Sequence, residues 1–313
     1  MLRRIVYALP IALSVTVICF LLVHIAPGDP LSAVAPVDAP TEVIEALKRA
    51  YGLDKPLVVQ YGLWLGRALQ GDLGSSVATG RDVVGEVMGA VSNTLLLAFV
   101  AACLGFLAGC AMGGIAGYRS RSALDRVVSA LSVAGVSVPH YWLGMVLTII
   151  FSAQLRWLPA MGAGPGGSVA WTWDYAHIRF LILPAVTLSV IPMGMVARTV
   201  RALVADVLGQ EFVQALLAKG LTHRQVFFHV VKNVAPTALA VMGLQLGYLL
   251  GGSILVETVF AWPGTGFLLN NAIFQRDIPL LQGTILILSL FFVALNLLVD
   301  IVQPMLDPRM RRG

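Results

Sequence analysis

Charge is the scarcest feature of this sequence. Asp, Glu, Lys and Arg make up 12% of its 313 residues, about half the share of an ordinary soluble domain. A chain so poor in charge and 58% hydrophobic lacks the polar surface of a soluble globule. Its mean hydropathy of +0.85 places it among multi-span membrane proteins. The net charge is +5, but the basic residues are scattered at the ends of apolar runs, which excludes a nucleic-acid-binding patch. Cysteine is nearly absent. Cys19, Cys103 and Cys110 all lie inside apolar runs, with neither a disulfide framework nor metal-ligand spacing. Cys103 and Cys110 share a helix face but stand about 10 Å apart along it, too far for a disulfide.

Catalytic machinery is missing as well. Gly162-Ala163-Gly164-Pro165-Gly166-Gly167 has no Lys-Ser/Thr after it to make a phosphate cradle. Ser75 and Ser76 have no base nearby in the sequence, and no apolar run carries a matched nucleophile and base. An ion-coupled carrier needs ionisable groups within its spans. Here the candidates are Glu257, Asp300 and His140, each reading better as a helix-end or interhelical hydrogen-bonding residue. No inverted repeat is found.

What is present is a series of apolar runs, predicting an all-α membrane protein with six transmembrane helices. Arg3 and Arg4 precede a run from Ile5 to Ile25, longer than a signal-peptide core and without a small-x-small cleavage site, so it reads as a retained span. Pro10 is its expected kink. Span two is expected over about 93–118, where Gly105, Gly109 and Gly113 recur every four residues, the pattern for close helix packing. Span three follows over about 127–154 with a kink at Pro139. Span four runs over about 180–200, broken by Pro184 and Pro192, span five over about 237–260 and span six over about 280–302. Residues 27–92 form a polar segment too long for a turn. Pro40 to Tyr51 and Val58 to Leu69 read as short helices, the second with Tyr61, Leu65, Ala68 and Leu69 on one face. The expected parts are a first span (1–26), a small extracytoplasmic subdomain (27–92), a five-span core (93–302) and a tail (303–313).

Loop charge orients the chain. Arg3, Arg4, Arg119, Arg121, Arg126, Arg198, Arg201, Lys219, Arg224, Lys232, Arg309, Arg311 and Arg312 fall on one side, against Arg156, Arg179 and Arg276 in the short loops of the other. The expectation is that both termini and the segment 197–236 are cytoplasmic. Within that segment, Glu211 to Gly220 reads as a short amphipathic helix. Phe212 and Leu216 fall on one stripe with Val213 and Leu217 beside it, and Gly220 is a stop. Composition leaves three readings open: a helix docked to a partner protein, a helix lying on lipid, and an ordinary connection.

The run Glu211-Phe212-Val213-Gln214-Ala215-Leu216-Leu217-Ala218-Lys219-Gly220-Leu221, then His229, Asn233 and Gly243-Leu244-Gln245, resembles the cytoplasmic coupling loop of bacterial ABC importer permeases. More narrowly, nearly the whole chain resembles the dipeptide/oligopeptide/nickel permease family. Pro27-Gly28-Asp29-Pro30 follows span one, Tyr51-Gly52-Leu53-Asp54-Lys55-Pro56 precedes Gln60-Tyr61, and Gly71-Asp72-Leu73-Gly74-Ser75 closes the outer subdomain. Phe260-Ala261-Trp262-Pro263-Gly264-Thr265-Gly266 follows span five and Asp307-Pro308-Arg309 the last span. Each piece is short, and their order and spacing together are specific. The chain departs from the family at Leu216, usually Ala, at Leu217, usually basic, and at Pro236, one residue early. The two leucines make the expected docking face greasier.

The resemblance implies a type I ABC importer permease in the bacterial inner membrane, forming half of a translocation pore. The other half would be a related permease. Two ATPase subunits would hold the ATP and Mg²⁺, with no cofactor in this chain, and a substrate-binding protein would dock outside. Glu211, Phe212, Val213, Ala215, Leu216, Leu217, Ala218 and Gly220 become the expected ATPase-coupling residues, while Gly243, Gly247, Gly251 and Gly252 are expected either to line the pore or to pack tightly against a neighbouring helix. The implied cargo is di- and oligopeptides, with nickel or a metal chelate as the alternative; a secondary carrier or channel is the reading from another class.

Overall fold

The computed structural model describes residues 2–25, 54–165 and 171–306, with Pro40, Glu42 and Glu45 between the first two stretches. The regular elements named among them are helical: α1 (Leu2–Ile25), α2 (Leu57–Leu69), α3 (Val83–Tyr118), α4 (Ala123–Ser137), α5 (His140–Thr148), a π-helical segment (Ile149–Gln154), α6 (Tyr175–Leu208), α7 (Glu211–Ala218), α8 (His223–Val259), α9 (Thr265–Gln275) and α10 (Ile278–Leu306). The helix expected from Pro40 to Tyr51 lies, apart from Pro40, Glu42 and Glu45, outside the described residues.

Among the residues whose side chains are described, four helices are long and apolar enough to cross a bilayer: α3, α6, α8 and the stretch Ile278–Leu295 of α10. A fifth candidate is the pair Ala123–Ser137 and His140–Gln154, bent by 99°. The kink expected at Pro139 is thus a full break. Pro139 cannot donate to the helix ladder and disfavours α geometry at Val138, which is extended (φ −82°, ψ 127°). At about 1.5 Å per residue, the 34 residues of α6 and the 37 of α8 span roughly 50 Å and 55 Å, well beyond a ~30 Å hydrocarbon layer. Pro184 and Pro192 lie inside α6 without ending it, as neighbouring helices permit in a membrane bundle. Helix α8 begins at His223, about fourteen residues before the expected span, so the segment 197–236 is largely the ends of two long helices.

The chain forms two compact units. One comprises Met1–Asn93 and Pro263–Leu297. In it, α2 lies against α1: Thr16 and Tyr61 share a hydrogen bond of 2.7 Å between their hydroxyls, and the Phe20 ring meets Tyr61 at 5.5 Å and Trp64 at 5.9 Å. Trp64, rather than the exposed Leu69, completes the α2 contact face. The following turn is held by buried Asp277 just ahead of α10. Its carboxylate accepts from the Ser76 hydroxyl at 2.5 Å, the Ala78 N–H at 3.1 Å and the Leu280 N–H at 3.1 Å.

The other unit comprises Thr94–Trp262 and Leu298–Gly313. Helix α3 presents Gly105, Gly109, Gly113 and Gly117 to α6. A Cβ there would come within 2.9 Å of the Ser189 carbonyl, 2.8 Å of Met193, closer still to Ala197, and 2.7 Å of Arg201. Both series advance by four residues, so backbone packs on backbone for more than three turns. Gly194 of α6 lies against the Ser132 carbonyl of α4 in the same manner. Helices α6 and α8 bury Val196, Val200, Val204 and Val207 with Val226, Val230, Val234 and Ala238 in one apolar cluster. The buried Thr94 hydroxyl donates to Glu257 at 2.8 Å, which supports the interhelical role expected for that glutamate. His140 opens α5, and its ring meets that of Tyr141 with centroids 6.4 Å apart. The side chain of Asp300 lies outside the described residues.

Candidate functional site

The polar segment singled out in the sequence is a capped helical turn. Helix α6 ends at Leu208, the eight-residue α7 follows, and α8 starts after Thr222. Val213 of α7 is 3% exposed and sits in the α6–α8 valine cluster, with Leu216 and Leu221 packed against it. These are the residues that fasten α7 to its own chain. Glu211, Phe212, Ala215, Leu217 and Ala218 are exposed, Leu217 by 43%. The eight expected coupling residues therefore divide. Val213 and Leu216 face inward, and the others, with Gly220, lie at the surface.

Both ends of this turn are fixed. The Gly220 N–H donates to the Leu217 carbonyl at 2.9 Å and the Leu221 N–H to the Leu216 carbonyl at 3.2 Å, the paired bonds of a Schellman stop, and Leu216 and Leu221 share the apolar cluster. Gly220 has φ +83° and open space around it, so glycine is needed for backbone conformation alone. Two residues on, Thr222 and Gln225 form a capping box, the Thr222 N–H donating to Gln225 Oε1 at 2.9 Å. Hydrogen bonds thus hold both the end of α7 and the start of α8. Glu211 stands in the first turn of α7, where the helix dipole favours a negative charge.

Arg201 of α6 meets Asp125 of α4 through two parallel bonds, Nε to Oδ1 at 2.8 Å and Nη2 to Oδ2 at 2.7 Å. Asp125 also accepts from the Arg121 N–H at 2.8 Å. This forked pair ties the first turn of α4 to the last turns of α6, and sequence reading missed it. The 76-residue separation hides it, and both residues read only as loop charges.

The four glycines expected at the pore differ from those on α3. A Cβ on Gly251 would meet nothing within 4 Å, and one on Gly252 only ordinary contacts, Tyr248 at 3.5 Å and Leu188 at 3.9 Å. Gly243 and Gly247 are half-buried. With Leu244, Tyr248 and Leu255 exposed, α8 keeps one long face of Leu, Tyr and Gly uncovered by its own chain.

At the other end of α6, Asp174 caps the helix. Its Oδ1 accepts from the His177 N–H at 2.8 Å and lies 2.7 Å from that ring's Nδ1, while its Oδ2 accepts from the Thr172 hydroxyl at 2.8 Å. These bonds, the His177 backbone N–H foremost, hold the Asp174 carboxyl well below the usual carboxylate range. Trp171 stands between His177 and the buried Trp262, with ring centroids at 5.3 and 5.4 Å.

Several membrane-crossing helices, glycine-packed and joined by a rigid surface turn, define a multi-pass membrane protein of the transporter kind. Residues 101–312 match the family model for the binding-protein-dependent transport system inner membrane component, and residues 1–105 the N-terminal model of such membrane components. The chain belongs to this family and is a transport permease subunit. It is 37% identical over 311 residues to a putative peptide transport system permease protein of Brucella abortus, covering 99% of this chain and 98% of that one. It is 36% identical over 310 residues to the glutathione transport system permease protein of Escherichia coli K12, covering 99% and 97%. It is 33% identical over 328 residues to the dipeptide transport system permease protein of Alkalihalophilus pseudofirmus, covering 99% and 98%.

Proposed function

We propose that this chain is one of two six-span permease subunits lining the pore of an ABC importer for di- and oligopeptides. The observation that carries this is α7: a short helix anchored by Val213, closed at its C-terminal end by a Schellman turn that leads into the capped start of α8, with Phe212 and Leu217 turned outward. An ATPase groove is the partner that fits. ATP and Mg²⁺ are bound there, and closure of the ATPase pair pulls on α7. The Schellman turn and the capping box join α7 to α8 and Val213 seats it in the α6–α8 cluster, so the pull passes to α6 and α8, and through Arg201 and Asp125 to α4. The pore then opens outward, driven by the better binding of ATP to that state.

The six spans are α1, α3, the bent pair from α4 through the π segment, α6, α8 and α10. At 24 residues α1 is about 36 Å long, enough to cross. Loop charge supports cytoplasmic termini. Residues 27–92 form the extracytoplasmic subdomain and, with the loop 158–178, face the substrate-binding protein. The open Gly251 face of α8 is left for the pore and the second permease. The names of the relatives, given for peptides, dipeptides and glutathione, favour a peptide cargo over nickel.

The test is reconstitution of the whole complex with its binding protein and a panel of dipeptides, longer peptides, free Ni²⁺ and Ni²⁺ chelates. Stimulation of ATP turnover by a peptide is expected. Stimulation by metal species alone overturns the cargo, and failure of any ATPase to co-purify overturns the coupling role in favour of a channel or carrier.

A further inference from the structure

A cavity of about 580 Å³ opens in the second unit between the π-helical segment, the turn after it and the start of α6. Ile149, Leu158 and Phe180 give it an apolar wall, and Arg156 and Arg179 stand beside them. The turn is firmly built. Leu155 N–H donates to Ile150 O at 2.9 Å, Trp157 N–H to Phe151 O at 2.9 Å, and the Ser152 hydroxyl to Leu158 O at 2.7 Å. These bonds hold Arg156 in the left-handed region at φ 56°, a conformation a non-glycine residue keeps only when its surroundings impose it. Arg179 is oriented too. Its Nη2 donates to the Trp157 carbonyl at 2.7 Å, its guanidinium lies 5.5 Å from the Tyr175 ring centre, and its Nε is buried without a hydrogen-bond partner. Among the described residues neither guanidinium meets a carboxylate.

The surroundings identify the anion. Trp157 and Tyr175, both in contact with Arg179, are 63% and 76% exposed, where the long apolar α6 begins. Exposed Trp and Tyr at the end of a crossing helix mark the level of the lipid headgroups. At that level two cations, Arg179 held by its own contacts, beside an apolar wall match a lipid phosphate with its acyl chain along the wall, and guanidinium grips phosphate by paired bonds. A soluble anion has no use for the wall.

We propose that this cavity binds the headgroup of an anionic phospholipid, Arg156 and Arg179 taking the phosphate and Ile149, Leu158 and Phe180 the first acyl methylenes. The site goes beyond the transport reading and does not depend on which cargo is carried.

The purified importer complex tests it, titrated separately with dioleoylphosphatidylglycerol, dioleoylphosphatidylcholine and inorganic phosphate. Lipid retention is read by native mass spectrometry and stabilisation by thermal unfolding. Phosphatidylglycerol is expected to be retained and to stabilise the complex, phosphatidylcholine much less, and phosphate alone not at all. Loss of either arginine weakens phosphatidylglycerol retention by about fivefold. Arg156→Gly is the primary variant because glycine accepts its backbone conformation, so it keeps the fold even where Arg179→Gln fails to assemble. Equal retention by Arg156→Gly and wild type overturns the proposal. Equal retention of the zwitterionic lipid overturns it as well, and stabilisation by inorganic phosphate matching that of the lipid makes the site one for a soluble anion.

Discussion

Alanine at Gly113 puts a methyl group into the backbone of Ala197, where its Cβ would meet the carbonyl oxygen, the carbonyl carbon and Cα. No rotamer relieves this, because the obstacle is main chain. Helices α3 and α6 must part by about 1 Å, and a gap of that size forfeits about a quarter to a half of the dispersion attraction across it. Gly105, Gly109 and Gly117 hold the same interface at Cβ distances of 2.9, 2.8 and 2.7 Å from α6 carbonyls, so the displacement is shared along the stripe. Overpacking of this kind costs about 1–3 kcal/mol. The adjacent Gly114 is the matched control. Its Cβ would meet nothing within 4 Å, and alanine there gains up to about 1 kcal/mol of helix propensity. Thermal unfolding of the detergent-solubilised complex is therefore expected to separate the two, Gly113→Ala falling by on the order of 5 °C and Gly114→Ala holding or rising. Equal stability of Gly113→Ala and wild type would refute the close approach, and an equal fall in both would show that helix packing on this face is not what alanine disturbs.

In α7, Leu217→Asp should abolish binding-protein-dependent ATP turnover while leaving assembly of the permease pair and its thermal unfolding unchanged. Val213→Asp should instead lower stability, because it places a carboxylate in the valine cluster, and a reversal of these outcomes would sink the division into anchor and docking residues. Gly220→Ala forces φ +83° on a residue with a Cβ at about 1–2 kcal/mol, expected as partial loss of coupled uptake with membrane insertion intact; Gly220→Pro abolishes uptake. Asp174 has a folded pKa lowered to about 2, so its contribution to stability is complete above the ordinary carboxylate pKa of about 4 and is lost as pH falls through its folded value. Wild type and Asp174→Ala should differ in unfolding temperature near pH 6 and converge between about pH 4 and 2; a difference that persisted at pH 2 would contradict the cap.

Composition alone reached the membrane class because low charge and long apolar runs are summed over many residues. The glycine stripe was legible for the same reason, since Gly105, Gly109 and Gly113 carry their period openly. The inward side of α7 was not. Val213 and Phe212 are adjacent and equally apolar, and only the position of the α6–α8 cluster decides which one is covered. Rising charge makes the ends of α6 and α8 look like loop, yet a helix that outruns the bilayer must become polar at its ends while remaining helical. Pro139 signalled a bend, but whether a proline kinks or breaks a helix depends on the partners of the freed carbonyls, which no local pattern records.

Asp277 accepts hydrogen bonds from Ser76 and Ala78, 201 and 199 residues earlier in the chain. At a synthesis rate of about 5–20 residues per second, the ribosome needs roughly 10–40 s to supply that carboxylate after the turn has been made. During that interval the hydroxyl and amide of the turn have only water or the translocation machinery to bond. The first unit is thus completed late in biogenesis, by a residue from the far end of the described chain. A nascent chain stalled before residue 277 exposes this turn to proteolysis, whereas a finished one has closed it.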